Sequence, residues 1–148
     1  MALDWRKPLS WTLHPQLERD TLTLGDLPLG RVLLMNDANY PWLILVPRRE
    51  GIVEIIDLEE ADRTALMMEI TQISRALRDG TRCDKLNVAA LGNAVPQLHV
   101  HVIARFRGDA AGPNAVWGRA PAKPYAAGAQ EALAAALRAR LFLAERGA

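Results

Sequence analysis

The stretch Gln97-Leu98-His99-Val100-His101-Val102-Ile103 alternates polar and apolar residues at nearly every step. A period of two belongs to a half-buried β-strand; the apolar face of a helix returns every three or four residues. The alternation puts Gln97, His99 and His101 on one face and aims Leu98, Val100 and Val102 into a core. Side chains on one face of a strand are spaced about 6–7 Å apart. The strand therefore offers a short row of neutral, hydrogen-bonding groups on a rigid support. Two of the chain's three histidines stand in this row, and imidazole is the side chain best suited to proton or group transfer near neutral pH.

The signals on either side set the fold class. Leu13 to Glu18 reads as a short helical turn and Asp20 to Leu24 as a strand, followed by turn residues Gly25-Asp26-Leu27-Pro28. Arg31 to Met35 and Trp42 to Val46 are apolar strands joined by the polar link Asn36-Asp37-Ala38-Asn39, and an antiparallel hairpin is their simplest pairing. A long helix follows, with Asp57 as N-cap and Glu60 completing a capping box. Its buried stripe is Leu66, Ile70, Ile73 and Leu77, with Met67 and Met68 as core or flank filler. Arg75 and Arg78 suit the negative end of its dipole, and Gly80 suits its C-cap.

Lys85 to Leu91 reads as a strand, Gly92 to Pro96 as a loop, and Arg105-Phe106-Arg107 as the end of the histidine strand. Residues 108–127, rich in Gly, Pro and Ala, read as an extended tail. Gln130 to Arg146 reads as a helix on Leu133, Leu137 and Leu141. The expected architecture is α+β: about five antiparallel strands, one main helix over one face, and a C-terminal helix. A single domain is expected over residues 1–148, with its core at about 15–107.

Composition narrows the partners. The chain has 148 residues, half of them hydrophobic, which suffices for a real core. Its formal net charge of +1 gives no electrostatic case for DNA, RNA or a membrane surface. The single cysteine, Cys83, cannot form an internal disulfide, so a reducing, cytoplasmic setting is expected. Met1 to Ser10 lacks an apolar signal core and carries Asp4, Arg6 and Lys7. Cys83 reads as inert, His14 as a surface or turn residue, and Trp5 and Trp11 as packing anchors. Trp117 could cap a pocket, but core or dimer packing is the preferred reading.

Three readings of the His99/His101 pair compete. They could be exposed strand residues without a role, although loops beside rigid strands, such as Gly92-Asn93, often carry sites. They could be metal ligands, but a third ligand is needed, and His14, Asp84 and Asp109 stand at no motif-like distance. The third reading is nucleophilic catalysis at phosphorus. It needs a neutral imidazole to attack, a second group near the leaving oxygen, and amide donors for the phosphate oxygens. His99, His101, the Gly92-Asn93 loop and Gln97 supply these types in that order.

The stretch QLHVHVIAR resembles the histidine triad motif, His-φ-His-φ-His-φ-φ with φ apolar. Leu33 to Asn36, Trp42 to Pro47, Ile56-Asp57-Leu58 with the helix after it, Lys85-Leu86-Asn87 and Gly92-Asn93 resemble the matching segments of histidine triad nucleotide hydrolases, over about residues 20–107. The resemblance implies a HIT-like fold, a homodimer, and hydrolysis or nucleotidyl transfer at the α-phosphate of a dinucleoside polyphosphate or nucleoside phosphoramidate. It implies that His99 is the nucleophile and that His101 contacts the phosphate and helps the leaving group. It also implies that Asn36 touches the nucleotide and that Gly92 and Asn93 meet the phosphate. No cofactor is expected at the catalytic step, with a divalent metal an option for a polyphosphate substrate; no resident metal site is expected.

Gln97 stands where the family has its first histidine. Its backbone carbonyl is expected to orient the nucleophile. The missing imidazole's usual partner is replaced by Trp42, so the two changes read as a coherent pair. The rivals to an enzyme of this class are a nucleotide-binding module with little turnover and a metal-dependent hydrolase using His99 and His101.

Overall fold

The structure, a computed structural model, describes residues 10–141 and residue 143. Five strands form one antiparallel sheet: β1 (Thr21–Asp26), β2 (Gly30–Met35), β3 (Trp42–Pro47), β4 (Lys85–Ala89) and β5 (Val100–Arg105). Their spatial order is β1-β2-β3-β5-β4. The expected hairpin is present, with Leu33 opposite Ile44 and Arg31 opposite Val46. β5 lies between β3 and β4, so that His101 faces Ile44 on one side and Ala89 on the other. Helix α1 (Pro15–Asp20) precedes the sheet, α2 (Glu60–Thr81) links its two halves, and α3 (Ala129–Arg138) follows it.

The alternation along β3 and β5 sorts their side chains as the sequence requires. Leu43, Leu45, Val100, Val102 and Ala104 pack with Leu66, Ile73 and Leu77 of α2 and Leu137 of α3. The other face is not left to solvent. Ile44, Trp42 and Ile103 form a second core with Leu13, Leu17 of α1, and Ala111 and Val116 of the tail. β5 is consequently buried along its whole length and not half-buried, because it is an inner strand with a covered second face.

Four local expectations are corrected. Asp57 does not cap α2. It closes a preceding 3-10 turn (Ile55–Asp57), accepting from the Val53 and Glu54 N–H groups. α2 starts after Glu59 without a side-chain cap. It runs through Gly80, which faces Leu137 of α3, and ends on Arg82 in the left-handed region at φ 55°. Met67 and Met68 are 63% and 68% exposed and so are not core. α3 stops at Arg138, whose guanidinium donates to the Leu24 and Thr23 carbonyls of β1. Trp5 and the last residues of the predicted C-terminal helix lie outside the described residues. Among the described residues, no helix is long and apolar enough to cross a membrane.

Candidate active site

His99 precedes β5 and His101 is its second residue. Their ring centroids are 4.9 Å apart at an interplanar angle of 76°. Neither is solvent-facing as the alternation alone suggests: His99 is 5% and His101 4% exposed. The cover comes from the loop Leu91 to Val95 above them and from the tail beside them.

The Nδ1 of His99 lies 2.6 Å from the Gln97 carbonyl. A carbonyl only accepts, so Nδ1 carries the proton and Nε2 holds the free lone pair. Nε2 has no hydrogen-bond partner among the described residues, and His99 lines a cleft of about 350 Å³. The geometry of a nucleophile is thus present: one nitrogen anchored, the other open. Gly92 sits directly on the ring. A Cβ at position 92 would stand 2.5 Å from His99 Cε1 and 3.1 Å from Nε2. This glycine is required for close approach and not for its φ, a reason invisible in the sequence. Asn93 is exposed, lines the same cleft, and makes no side-chain hydrogen bond among the described residues.

His101 is tied at both nitrogens. Trp42 Nε1 donates to its Nδ1 at 3.0 Å, and its Nε2 lies 2.8 Å from the Leu91 carbonyl. Burial holds its pKa down to about 4, against the raising effect of the Leu91 contact, with nearby His99 adding to the depression. Trp42 therefore does not stand in for a partner of residue 97; it is the partner of His101.

The Gln97 carbonyl meets the His99 ring as expected, whereas its side chain turns away from the histidine cleft. Its Oε1 accepts from the His14 N–H at 2.9 Å, and its Nε2 donates to the Thr12 carbonyl at 2.9 Å. A neutral amide can make both bonds at once, and here it pins the N-terminal segment. His14 in turn caps α1, its Nδ1 accepting from the Gln16 N–H. It is a cap and not a free surface residue. α1 then supplies Gln16, Leu17 and Asp20 to the cleft wall. Gln97 shares only a small side pocket of about 80 Å³ with His99, so its side chain serves the scaffold and its carbonyl anchors the His99 ring.

The tail belongs to the site. Trp117 lies edge-on to His101 at 5.1 Å and to Trp42 at 5.7 Å. Together with Asp20 and Met35 it is shared between the histidine cleft and an adjoining cleft of about 470 Å³. Trp117 thus packs against the second core, as its preferred sequence reading has it, and lines both clefts as well. Asn36 lines the adjoining cleft and not the histidine cleft; its amide bonds the Arg19 carbonyl and Gln130 of α3.

Arg105, which the alternation presented merely as a strand end, is the anchor of the tail. Its buried guanidinium pairs with Asp109 at 2.8 and 2.9 Å and donates to Asn87 and to the Gly112 and Asn114 carbonyls. This pairing holds the Asp109 carboxyl down to about 2, helped by the Phe106 and Ala111 N–H groups and opposed by burial. Further along, Asp37 accepts from the Lys123 N–H, and Asn39 donates to the Pro121 carbonyl.

The metal reading finds little support in this donor set. The one lone pair of His101 faces an indole N–H. Asp109 is bound by Arg105, and Asp84 accepts from the Arg107 N–H at the far end of β4. Among the described residues, no group of three or more His, Cys, Asp or Glu side chains converges.

A family model for the HIT domain matches residues 16–108. The chain belongs to the HIT domain family. Solved histidine triad proteins are similar to it over nearly its whole length. One from Bradyrhizobium japonicum is 55% identical with a TM-score of 0.88, covering 89% of this chain and 98% of its own. One from Sinorhizobium meliloti is 42% identical with a TM-score of 0.86, covering 89% and 98%. One from Marinobacter aquaeolei is 46% identical with a TM-score of 0.85, covering 88% and 96%. No curated protein matches the sequence. As a HIT-domain chain, this protein has the open five-stranded sheet and helices that the sequence predicts.

Proposed function

We propose that this HIT-domain protein is a cytoplasmic nucleotide hydrolase or nucleotidyl transferase that works through a covalent nucleotidyl-His99 intermediate. The observation that carries the reading is the anchored Nδ1 and open Nε2 of His99 in the cleft. The neutral nitrogen attacks the α-phosphorus and splits one hard displacement into two easier ones. His101 and Asn93 meet the phosphate oxygens, and the close approach of Gly92 keeps the loop backbone beside them. The adjoining cleft between Asn36 and Trp117 takes the nucleoside. The catalytic step requires no cofactor, and a divalent metal accompanies the substrate only if that substrate is a polyphosphate.

One observation favours a second reading, a nucleotide-binding module with little turnover. The Leu91 carbonyl occupies the His101 Nε2–H that a substrate would need. The two readings separate on a panel of dinucleoside polyphosphates, adenylated amino acids and nucleoside phosphoramidates, with His99→Ala as control. Quenching in acid-free conditions and intact-mass analysis detect a nucleotide adduct on wild-type protein and none on His99→Ala. Binding without turnover or adduct supports the module and removes the enzyme.

A further inference from the structure

Both ring nitrogens of His101 meet groups that have no choice of role. An indole N–H only donates, and Trp42 Nε1 is 3.0 Å from Nδ1. Nδ1 is therefore the unprotonated nitrogen. A carbonyl only accepts, and Leu91 O is 2.8 Å from Nε2. Nε2 therefore carries the proton. Trp42 is buried and wedged between Tyr40 and Trp117, at ring distances of 6.4 and 5.7 Å, so the indole cannot swing away cheaply.

Building on the nucleotidyl-His99 reading, we propose that Trp42 is a positioning residue that locks His101 as its neutral Nε2–H tautomer. His101 then hydrogen-bonds the phosphate and the departing group without giving up a proton, and the substrates are nucleotides whose leaving group departs as a weakly basic anion. A phosphate, a carboxylate or an acidic phenolate meets that requirement; an alkoxide does not.

The proton accounting follows from the lock. The His99 Nε2 lone pair forms the P–N bond, and the electron pair of the breaking P–O bond leaves with the departing oxygen. The His99 Nδ1 proton stays on the ring, shared with the Gln97 carbonyl. For His101 to act as an acid it would first need a second proton on Nδ1, where the Trp42 N–H already points. Two N–H groups would then face each other in a buried site. Without that second proton, donation through Nε2 would leave an imidazolate. The low pKa of His101, about 4, agrees with this geometry. The titratable groups facing it are His99 beside it and Asp20 across the cleft. In the second step water bonds phosphorus, the P–N pair returns to His99 Nε2, and the water proton passes to solvent. The Leu91 carbonyl holds the place of the phosphate oxygen that His101 will contact.

Two measurements test this. Nitrogen-15 spectra of the ring nitrogens, with the three histidines assigned through His14→Gln and His99→Gln, read the tautomer directly in the free protein. The expected result is a pyridine-type Nδ1 and a pyrrole-type Nε2 on His101 from pH 5 to 8, with averaged shifts in Trp42→Phe. A protonated Nδ1 in the wild type overturns the lock. An unchanged tautomer in Trp42→Phe assigns it to the Leu91 carbonyl alone and overturns the role of Trp42; if Trp42→Phe fails to fold, Trp42→Leu makes the same comparison. The second measurement compares adenosine 5′-(4-nitrophenyl phosphate) with adenosine 5′-(ethyl phosphate). General-acid help is worth about 10²–10⁴-fold, so the ethyl ester is expected to lag by at least that factor. An ethyl ester cleaved within about tenfold of the nitrophenyl ester overturns the leaving-group restriction. No turnover of either ester or of the wider panel, with the tautomer as stated, overturns the nucleotidyl-His99 reading and the restriction with it, and leaves the lock standing.

Discussion

Gly92→Ala isolates the contact between the loop and the His99 ring. An added Cβ would start 2.5 Å from His99 Cε1, whereas carbon atoms settle at about 3.5–4.0 Å. Either the loop or the ring must yield by about 1 Å. A ring that moves loses its bond to the Gln97 carbonyl. A loop that moves carries away Asn93 and the Leu91 carbonyl. A misplacement of about 1 Å at a reacting centre costs on the order of 10²-fold in rate, or about 2.7 kcal/mol of barrier. Stability is expected to change little. Gly92 is not among the glycines with positive φ, and replacing a glycine in a permitted conformation recovers about 0.4–1 kcal/mol through the unfolded chain. The exposed loop can absorb the strain. Steady-state turnover of the best substrate, run beside a thermal melt, checks both halves. A kcat within about threefold of wild type, at an unchanged melting temperature, would refute the close approach as a determinant of His99 geometry.

Four further expectations follow from the same geometry. His99→Ala should lose several orders of magnitude in turnover while melting near the wild-type temperature; near wild-type rates would remove it as nucleophile. Gln97→His should gain less than about tenfold, worth about 1.4 kcal/mol, because the amide that holds Thr12 and His14 is lost and the Trp42 N–H is already engaged; a larger gain in kcat/KM would show Gln97 to be a lesion. The Asp109 carboxyl is held down to about 2, below its unfolded value near 3.9. Its contribution to stability is therefore full above about pH 4 and lost as the pH falls toward 2, which Trp117 fluorescence, read against Trp117→Phe, should follow. Finally, a dimer is expected at micromolar concentration. Ile56 is 83% exposed, and Met67, Met68 and Val88 of edge strand β4 are exposed as well, as an unprotected apolar edge invites pairing; light scattering that reports a monomer mass would sink this.

The sheet and the central helix were legible because their side-chain periods differ, two against three or four, and because each buries what its period selects. Leu66, Ile73 and Leu77 lie where the helical stripe puts them, and Val100 and Val102 face the core that the strand requires. The anchoring of His99 was legible because a carbonyl two residues earlier is a local relation. The rest depends on contacts between distant residues. Nothing near Trp42 in sequence says that its N–H meets His101, 59 residues away. The resemblance pairs Gln97 with Trp42 as mutual replacements; the fold sends them to different partners, Gln97 to Thr12 and His14 and Trp42 to His101. Arg105 looked like a polar end to a strand, because the charge that pairs with it lies in a tail without periodicity. The cap on α2 was misplaced for a simpler reason: Asp57 has a closer pair of N–H groups to satisfy in the 3-10 turn.

The cleft is closed by two segments whose tethers lie far away in the sequence. Residues 12 to 14 hang from Gln97, a span of 83 to 85 positions, and the tail reaches Asp37 across 86. Contacts of such long range form only after the intervening chain has been ordered, and neither segment lies in a strand ladder or a long helix, so they open at lower cost than the sheet. The strands that hold the imidazoles are braced on both sides by ladder hydrogen bonds. Amide exchange should thus divide the molecule into a slow sheet and a faster pair of flaps. On the proposed function, a nucleotide would enter and leave by parting the flaps while the imidazoles stay assembled beneath them.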